Sequence, residues 1–154
     1  MTYRIAGLSP AEFLPLFALS DAELAARRAA RVTACQYPGY PCRITLTDAP
    51  VGEELILLHH VSHDVATPYR SGYAIYVSQS GTAADYRDAV PPVMERRPLG
   101  LRGFDAAAML RDARLAPPGA VDAGIRDLFA DPNIAYIHAH NAAHGCFVAR
   151  VDRA

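Results

Sequence analysis

The sequence has no lysine and no tryptophan, and only three of its 154 residues are cysteine. An odd number of cysteines without paired spacing favours reduced thiols and a cytoplasmic location. No apolar run approaches the roughly 20 residues of a membrane helix, and the N-terminus lacks the basic-then-apolar layout of a signal peptide. With a net charge of -1, the chain gives no reason to expect binding to nucleic acid or to an acidic membrane surface.

Several functional signatures are missing as well. The chain contains no G-x-G-x-x-G string, no phosphate-binding loop and no Cys-x-x-Cys pair. Nucleotide, dinucleotide and zinc-ribbon functions therefore have no support, and no cofactor is predicted.

The apolar pattern predicts an α+β fold in which residues 1–154 form a single domain. Alternating or continuous apolar residues predict strands at Tyr3–Leu8, Arg43–Thr47, Glu54–Val61 and Tyr73–Ser78. Together with a C-terminal hairpin, they would form a mainly antiparallel sheet of about five to seven strands with helices packed on one face.

Three segments carry helix signals. Ser9-Pro10-Ala11-Glu12 and Ser20-Asp21-Ala22-Glu23 match the capping box, in which serine opens the helix and glutamate follows three residues later. The second helix is expected to continue to about Val32, and a third to cover Ala120–Ala130. Between them, Leu99–Leu115 is ambiguous: its alanines favour a helix, but its first residues alternate as in a strand, and we favour a strand pair.

The stretch Ile134–Asp152 is predicted to be a β-hairpin with a five-residue loop, Asn141–Gly145. Because strand side chains alternate between two faces, Tyr136, His138 and His140 share one face of its first arm.

One register keeps the polar groups of the hairpin together. It pairs His140 with Cys146, His138 with Val148, and Tyr136 with Arg150. Phe147, Ala149 and Val151 would then pack inward, while the polar face would stay open.

Three strings of the sequence point to a known family: Gly39-Tyr40-Pro41-Cys42-Arg43, Thr67-Pro68-Tyr69-Arg70-Ser71-Gly72, and His138-Ala139-His140-Asn141-Ala142 with Gly145-Cys146-Phe147. Together they resemble the bacterial family catalogued as domain of unknown function 1203, and the resemblance covers nearly the whole chain. It implies a single domain and a strand pair at Leu99–Leu115. It implies no reaction and supplies no catalytic residues.

The polar face of the hairpin is the predicted site, next to the end of the Glu54–Val61 strand. A thiol beside an imidazole can act as a nucleophile, so His140 and Cys146 are the candidate catalytic residues. The planar fork of arginine suits carboxylates and phosphates. The candidate ligand-binding residues are Arg43, Tyr69, Arg70, His138 and Arg150. We therefore expect a pocket for a small anionic molecule.

Other functions fit the same residues. His138 and His140 on one strand face suit two ligands of a divalent metal, with His60 as a third, which would make the protein a metal-assisted enzyme. Alternatively, the hairpin or a sheet edge could serve a non-catalytic role as a homodimerisation module. Structural roles also stay open, since Arg150 could simply pack over Tyr136 and Cys146 could be a small core residue.

The cysteines are predicted to form no disulfide. By alternation, Cys42 shares a face with Ile44 and Leu46 and belongs to the core, whereas Cys146 lies on the polar face of the hairpin.

Overall fold

Two antiparallel sheets form the framework of the protein. The computed structural model describes residues 1–154, and its strands are β1 (Tyr3–Ala6), β2 (Ala29–Thr33), β3 (Glu54–His63), β4 (Ser71–Ser78), β5 (Asp85–Arg87), β6 (Leu99–Phe104), β7 (Leu110–Ala116), β8 (Tyr136–Asn141) and β9 (Phe147–Arg153). The larger sheet has the order β5-β1-β9-β8-β6-β7, and the smaller has the order β2-β3-β4. The predicted α+β class with a C-terminal hairpin is confirmed, but the strands divide between two sheets.

The helices are short: α1 (Asp21–Ala26), α2 (Pro92–Glu95) and α3 (Val121–Phe129). Helical spacing turns Val121, Ile125 and Leu128 of α3 to one side, where all three are buried. There they belong to the main core with Ile137 and Ala139 of β8. The opposite face of β8, which carries its histidines, is left for the smaller sheet. None of the helices is long and apolar enough to cross a membrane.

The predicted capping boxes have different outcomes. Ser20 caps α1 as predicted, since its side chain accepts a hydrogen bond from the backbone N–H of Glu23 and the Glu23 carboxylate bonds back to the Ser20 N–H. The extension of this helix to Val32 is wrong. The chain takes a left-handed conformation at Arg28, with φ of 58°, and then pairs with β3 as β2.

The first capping box does not form. Ser9 makes no side-chain cap bond, and two 3₁₀ segments follow it, Pro10–Glu12 and Leu14–Ala18. Pro15 lies in the second of them, and proline inside an α-helix would remove a backbone donor.

The predicted strand Arg43–Thr47 is wrong. The Cys42 N–H donates to the Thr47 carbonyl and the Leu46 N–H donates to the Cys42 carbonyl, which closes a tight loop. Leu46 has a φ of 53°, outside the range of a strand. We call residues 39–48 the connector, because they link the two sheets: the Arg43 N–H donates to the Tyr76 carbonyl of β4, and the Arg43 carbonyl accepts from Leu8, just beyond β1.

The C-terminal hairpin forms as predicted, but in another register. His138 pairs with Arg150, and His140 pairs with Phe147. An irregularity between these pairs leaves Val148 as the extra residue of a bulge, so the ring of Phe147 shares the histidine face while Val148 joins the main core. Alternation read along the sequence cannot reveal a bulge, because one inserted residue reverses the faces of all residues on one side of it.

The stretch between residues 99 and 115, for which the sequence analysis favoured a strand pair over a helix, is a strand pair. β6 and β7 pair antiparallel, and β6 pairs with β8 on its other side. Asp105 organises the turn between β6 and β7 by accepting hydrogen bonds from the N–H groups of Ala107 and Met109.

A single glycine fixes how closely the connector approaches β1. A Cβ atom on Gly7 would lie 1.8 Å from the Ile44 carbonyl oxygen, whereas a Cβ on Gly100 would meet nothing within 4 Å. We expect Gly7→Ala to lower the free energy of unfolding by about 3 kcal/mol or more, since backbone would have to move. Gly100→Ala, the matched control, should change it by less than about 1 kcal/mol. Denaturant unfolding measures both, and equal effects would contradict the close approach.

Candidate functional site

Aromatic and imidazole rings fill the space between the two sheets. We call these rings the ring layer; they belong to Phe104, Tyr136, His138, His140 and Phe147 of the larger sheet and to His60 and His63 of the smaller. The His138 ring lies 5.1 Å from the Phe147 ring and 4.8 Å from the His63 ring, between centroids. His138 is 2% exposed and His140 is 4% exposed. The histidine face of the hairpin is therefore an internal interface, and the prediction of an open site centred on His140 is wrong.

Burial keeps both hairpin histidines neutral at ordinary pH. It lowers the pKa of His138 to about 3, with further lowering from the nearby His63, His140, Arg150 and Arg102. Burial likewise lowers the pKa of His140 to about 4, although a hydrogen bond with the Gly145 carbonyl opposes the shift. Neither ring carries a charge that could attract an anion at neutral pH.

The hydrogen bonds of His63 fix its tautomer. Its Nδ1 lies 2.9 Å from the Tyr69 carbonyl oxygen, and its Nε2 lies 2.7 Å from the Tyr136 hydroxyl. A carbonyl can only accept, so Nδ1 carries the proton and, in the neutral ring, Nε2 accepts from the hydroxyl. This bond joins β3 directly to β8. By contrast, Nδ1 of His138 is buried without a partner.

The alternative metal site is not assembled. No group of three His, Cys, Asp or Glu side chains is arranged to hold a metal ion. The His138 and His140 rings are 6.2 Å apart, and the His60 ring lies against Phe13 and 3.8 Å from the Glu12 carboxylate. The spacing of two histidines on a strand does not by itself bring a third ligand to them.

Arg43 is the buried charge of the connector, with only 2% of its surface exposed. Its Nε donates to the Phe147 carbonyl at 2.7 Å, its Nη1 donates to the Pro41 carbonyl, and its Nη2 donates to Cys146 Sγ at 3.2 Å. None of these partners is a carboxylate. Burial lowers the pKa of Arg43, while Cys146 acts in the opposite direction. Since arginine stays protonated in proteins, this position holds a cation without an acidic partner.

Arg43 and Cys146 face a cleft of about 500 Å³. The hairpin contributes Asn141, His144 and Cys146; the other lining residues are Gln36, Gly39, Pro41, Arg43, Leu57, Tyr73, Ala74, Tyr76 and Arg97. The lining contains two arginines and no aspartate or glutamate. The cleft is therefore positive in charge.

Asp48 contacts two lining residues, Gly39 and Arg97, and both of these contacts are hydrogen bonds. Its side chain is fully buried, and both of its oxygens accept hydrogen bonds from Arg97. It also accepts from the Gly39 N–H. Asp48 thus holds Arg97 and the start of the connector in place and leaves the charge of Arg43 unbalanced.

The remaining predicted residues lie elsewhere. Tyr69 and Arg70 line a separate cleft of about 300 Å³ with Arg102, and Arg70 forms an exposed ion pair with Asp64. Arg150 packs over the Tyr136 ring at 4.0 Å and pairs with Asp152. This packing is the structural role that the sequence analysis gave as the alternative to ligand binding. Of the predicted set, only Arg43 and Cys146 line the cleft of about 500 Å³, and all three cysteines are free.

Several residues of the cleft were not predicted from the sequence, notably Arg97, Tyr73, Asn141 and His144. One signal was available: the first and third of the family-like strings, Gly39–Arg43 and His138–Phe147, supply most of the connector and hairpin lining. Nothing in the sequence alone shows that these two strings meet.

Comparison with known proteins gives a family and no activity. The family described as "Protein of unknown function (DUF1203)" matches residues 39–153, a range that includes the connector and the whole hairpin. No curated protein and no solved structure matches the chain.

The buried histidines predict acid sensitivity. Their pKa values are lower in the folded chain than the ordinary 6.5, so the unfolded chain takes up protons first. The contribution of the two neutral histidines to the free energy of unfolding is therefore fully present above pH 6.5. It is lost as the pH falls through about 4 for His140 and about 3 for His138. Each histidine should lower the free energy of unfolding by up to about 1.4 kcal/mol per pH unit within its window. Denaturant unfolding at a series of pH values measures the slope.

A pair of variants isolates the effect of His140. His140→Asn should make the slope shallower, by up to about 1.4 kcal/mol per pH unit, because one titrating group is removed. His144→Asn, at an exposed position of the hairpin loop, should keep the wild-type slope. An unchanged slope in His140→Asn would show that His140 is not held neutral in the folded protein.

Proposed function

Since the chain belongs to the family described as protein of unknown function (DUF1203), its function has to be inferred from its own cleft, and we propose that this cleft binds a small molecule carrying a carboxylate or phosphate group. The observation that carries the proposal is the buried guanidinium of Arg43, whose partners are two carbonyls and a sulfur.

Charge supports an anionic ligand. Buried charges in proteins usually have an opposite charge beside them, because an isolated one is costly. Asp48 balances Arg97, and no acid balances Arg43. A ligand anion in the cleft would supply the missing negative charge, and the cleft walls would focus the positive potential that attracts it.

Size supports a small ligand. A cleft of about 500 Å³ lies within the usual range for metabolite-sized molecules, roughly 300–1,000 Å³. The lining also offers orienting groups, including the Tyr76 ring, the Gln36 and Asn141 amides and the Arg97 guanidinium. Such a ligand agrees with a cytoplasmic protein that has no nucleic-acid or membrane partner, which we propose from its composition.

Introducing a negative charge at the edge of the cleft tests the proposal. Tyr73 lines the cleft and is 55% exposed, so its replacement should leave the core intact. Tyr73→Glu should weaken binding of inorganic phosphate or succinate about three- to tenfold relative to Tyr73→Gln, because it adds a negative charge to the cleft. Titration calorimetry or NMR at low ionic strength measures the affinities, and added salt should weaken binding.

A remote variant completes the design. Leu115 lies on the edge strand β7, is 73% exposed and does not line the cleft. Leu115→Glu adds the same charge and should bind like the wild type. Equal affinities for Tyr73→Glu and Tyr73→Gln, or no saturable binding by the wild type at millimolar anion, would refute the proposal.

A further inference from the structure

Three cysteines of this chain stand in three different environments. Cys42 is 1% exposed and receives hydrogen bonds from the Ile44 and Ser78 N–H groups. Cys35 is exposed, and its Sγ lies 3.1 Å from the Tyr40 hydroxyl. Cys146 alone combines partial exposure, a position in the cleft lining and a guanidinium hydrogen bond to its sulfur.

We propose that Cys146, which accepts a hydrogen bond from the Arg43 guanidinium, is a nucleophile that reacts with small electrophiles carrying a carboxylate or phosphate group. The proposal rests on the proposed anion binding, which would bring such a molecule to the sulfur. It differs from the sequence-based prediction in the activating group, which is a fixed cation instead of an imidazole.

The geometry favours Arg43 over His140 as the activating group. The Nη2 of Arg43 donates to the sulfur at 3.2 Å, and a cation beside a thiol favours the thiolate. His140 is 4% exposed, makes its hydrogen bond to the Gly145 carbonyl instead, and does not line the cleft. A thiolate would also provide the negative charge that Arg43 lacks in the unliganded protein.

The reaction step is a displacement. The thiol first releases its proton to solvent, since Arg43 is already protonated and cannot accept it. The sulfur electron pair then forms a bond to the electrophilic atom, and the leaving group departs with the electrons of the broken bond. With iodoacetate as the probe, a sulfur–carbon bond forms, a carbon–iodine bond breaks and iodide leaves.

Alkylation of the folded protein tests the proposal. Iodoacetate is anionic and iodoacetamide is neutral, and peptide mapping by mass spectrometry gives the rate at each cysteine. Near neutral pH, Cys146 should react with iodoacetamide roughly tenfold faster than the exposed Cys35. The ratio of the iodoacetate rate to the iodoacetamide rate should also be roughly tenfold higher at Cys146. Inorganic phosphate should protect Cys146 and leave Cys35 unaffected.

Two variants separate the contributions. Arg43→Gln should slow the reaction of Cys146 with both reagents; circular dichroism checks that this variant folds. Tyr73→Glu, compared with Tyr73→Gln, should slow the reaction with iodoacetate more than the reaction with iodoacetamide, and it does not depend on altering the buried arginine. Slow alkylation of Cys146 by both reagents in the wild type would overturn the inference.

The outcomes distinguish this inference from the proposed function. If phosphate binds saturably but Cys146 reacts no faster than Cys35, the anion site stands and the nucleophile is refuted. If Cys146 reacts fast with both reagents without preferring iodoacetate, and phosphate does not bind, Cys146 is an activated thiol, but the anion-binding function and the proposed substrate class are both refuted.

Discussion

One buried residue, Arg43, holds together the parts of the molecule that form the cleft. Its backbone bonds to β4 and to Leu8, just beyond β1, and its guanidinium bonds to the start of β9 and to the sulfur of Cys146. The connector that carries it has no regular secondary structure of its own. Its position therefore depends on these bonds, on the Asp48–Arg97 pair and on the close approach that Gly7 permits. Because the same guanidinium bonds define the cleft wall, the stability of this region and the anion binding that we propose would have a common cause.

Phe147 connects that cation to the ring layer. Its carbonyl accepts from Arg43, while its ring packs on His138 and His140. The two sheets thus meet through aromatic and imidazole rings on one side of Phe147 and through a permanent cation on the other. Burial enforces neutrality on His138 and His140, because imidazole can release its proton at little cost near neutral pH. Arginine cannot do so, and it keeps its charge despite a comparable degree of burial.

Those parts of the fold that depend on local patterns could be predicted from the sequence. The strand alternation of β3 and β4, the helical spacing of α3 and the Ser20 capping box all correspond to observed elements. The failures have non-local causes. Residues 29–33 pair with β3 although they continue a helical pattern, and the bulge at Val148 places Phe147 on the face opposite to the expected one. The candidate site was wrong for the same reason: His140 and Cys146 are close in sequence, but the histidine face of β8 packs against the smaller sheet, and Cys146 lies at the cleft instead. The meeting of Arg43 with Cys146 spans 103 residues, so that no local pattern could show it.

The location of the site follows from which polar groups find hydrogen-bond partners and counter-charges within the fold. His63 uses both ring nitrogens, Arg150 has Asp152 and the Tyr136 ring, and Arg70 has Asp64. Each of these residues is accounted for without a ligand. The guanidinium of Arg43 has hydrogen-bond acceptors but no counter-charge, and hydrogen bonds to neutral carbonyls do not cancel a unit charge. The missing negative charge can come either from a thiolate at Cys146 or from an anion bound in the cleft. The two compete for one charge: a bound anion disfavours the thiolate, and the thiolate disfavours the anion. The displacement that we propose would remove this competition, because it would leave the sulfur as a neutral thioether and the carboxylate or phosphate of the product as the partner of Arg43.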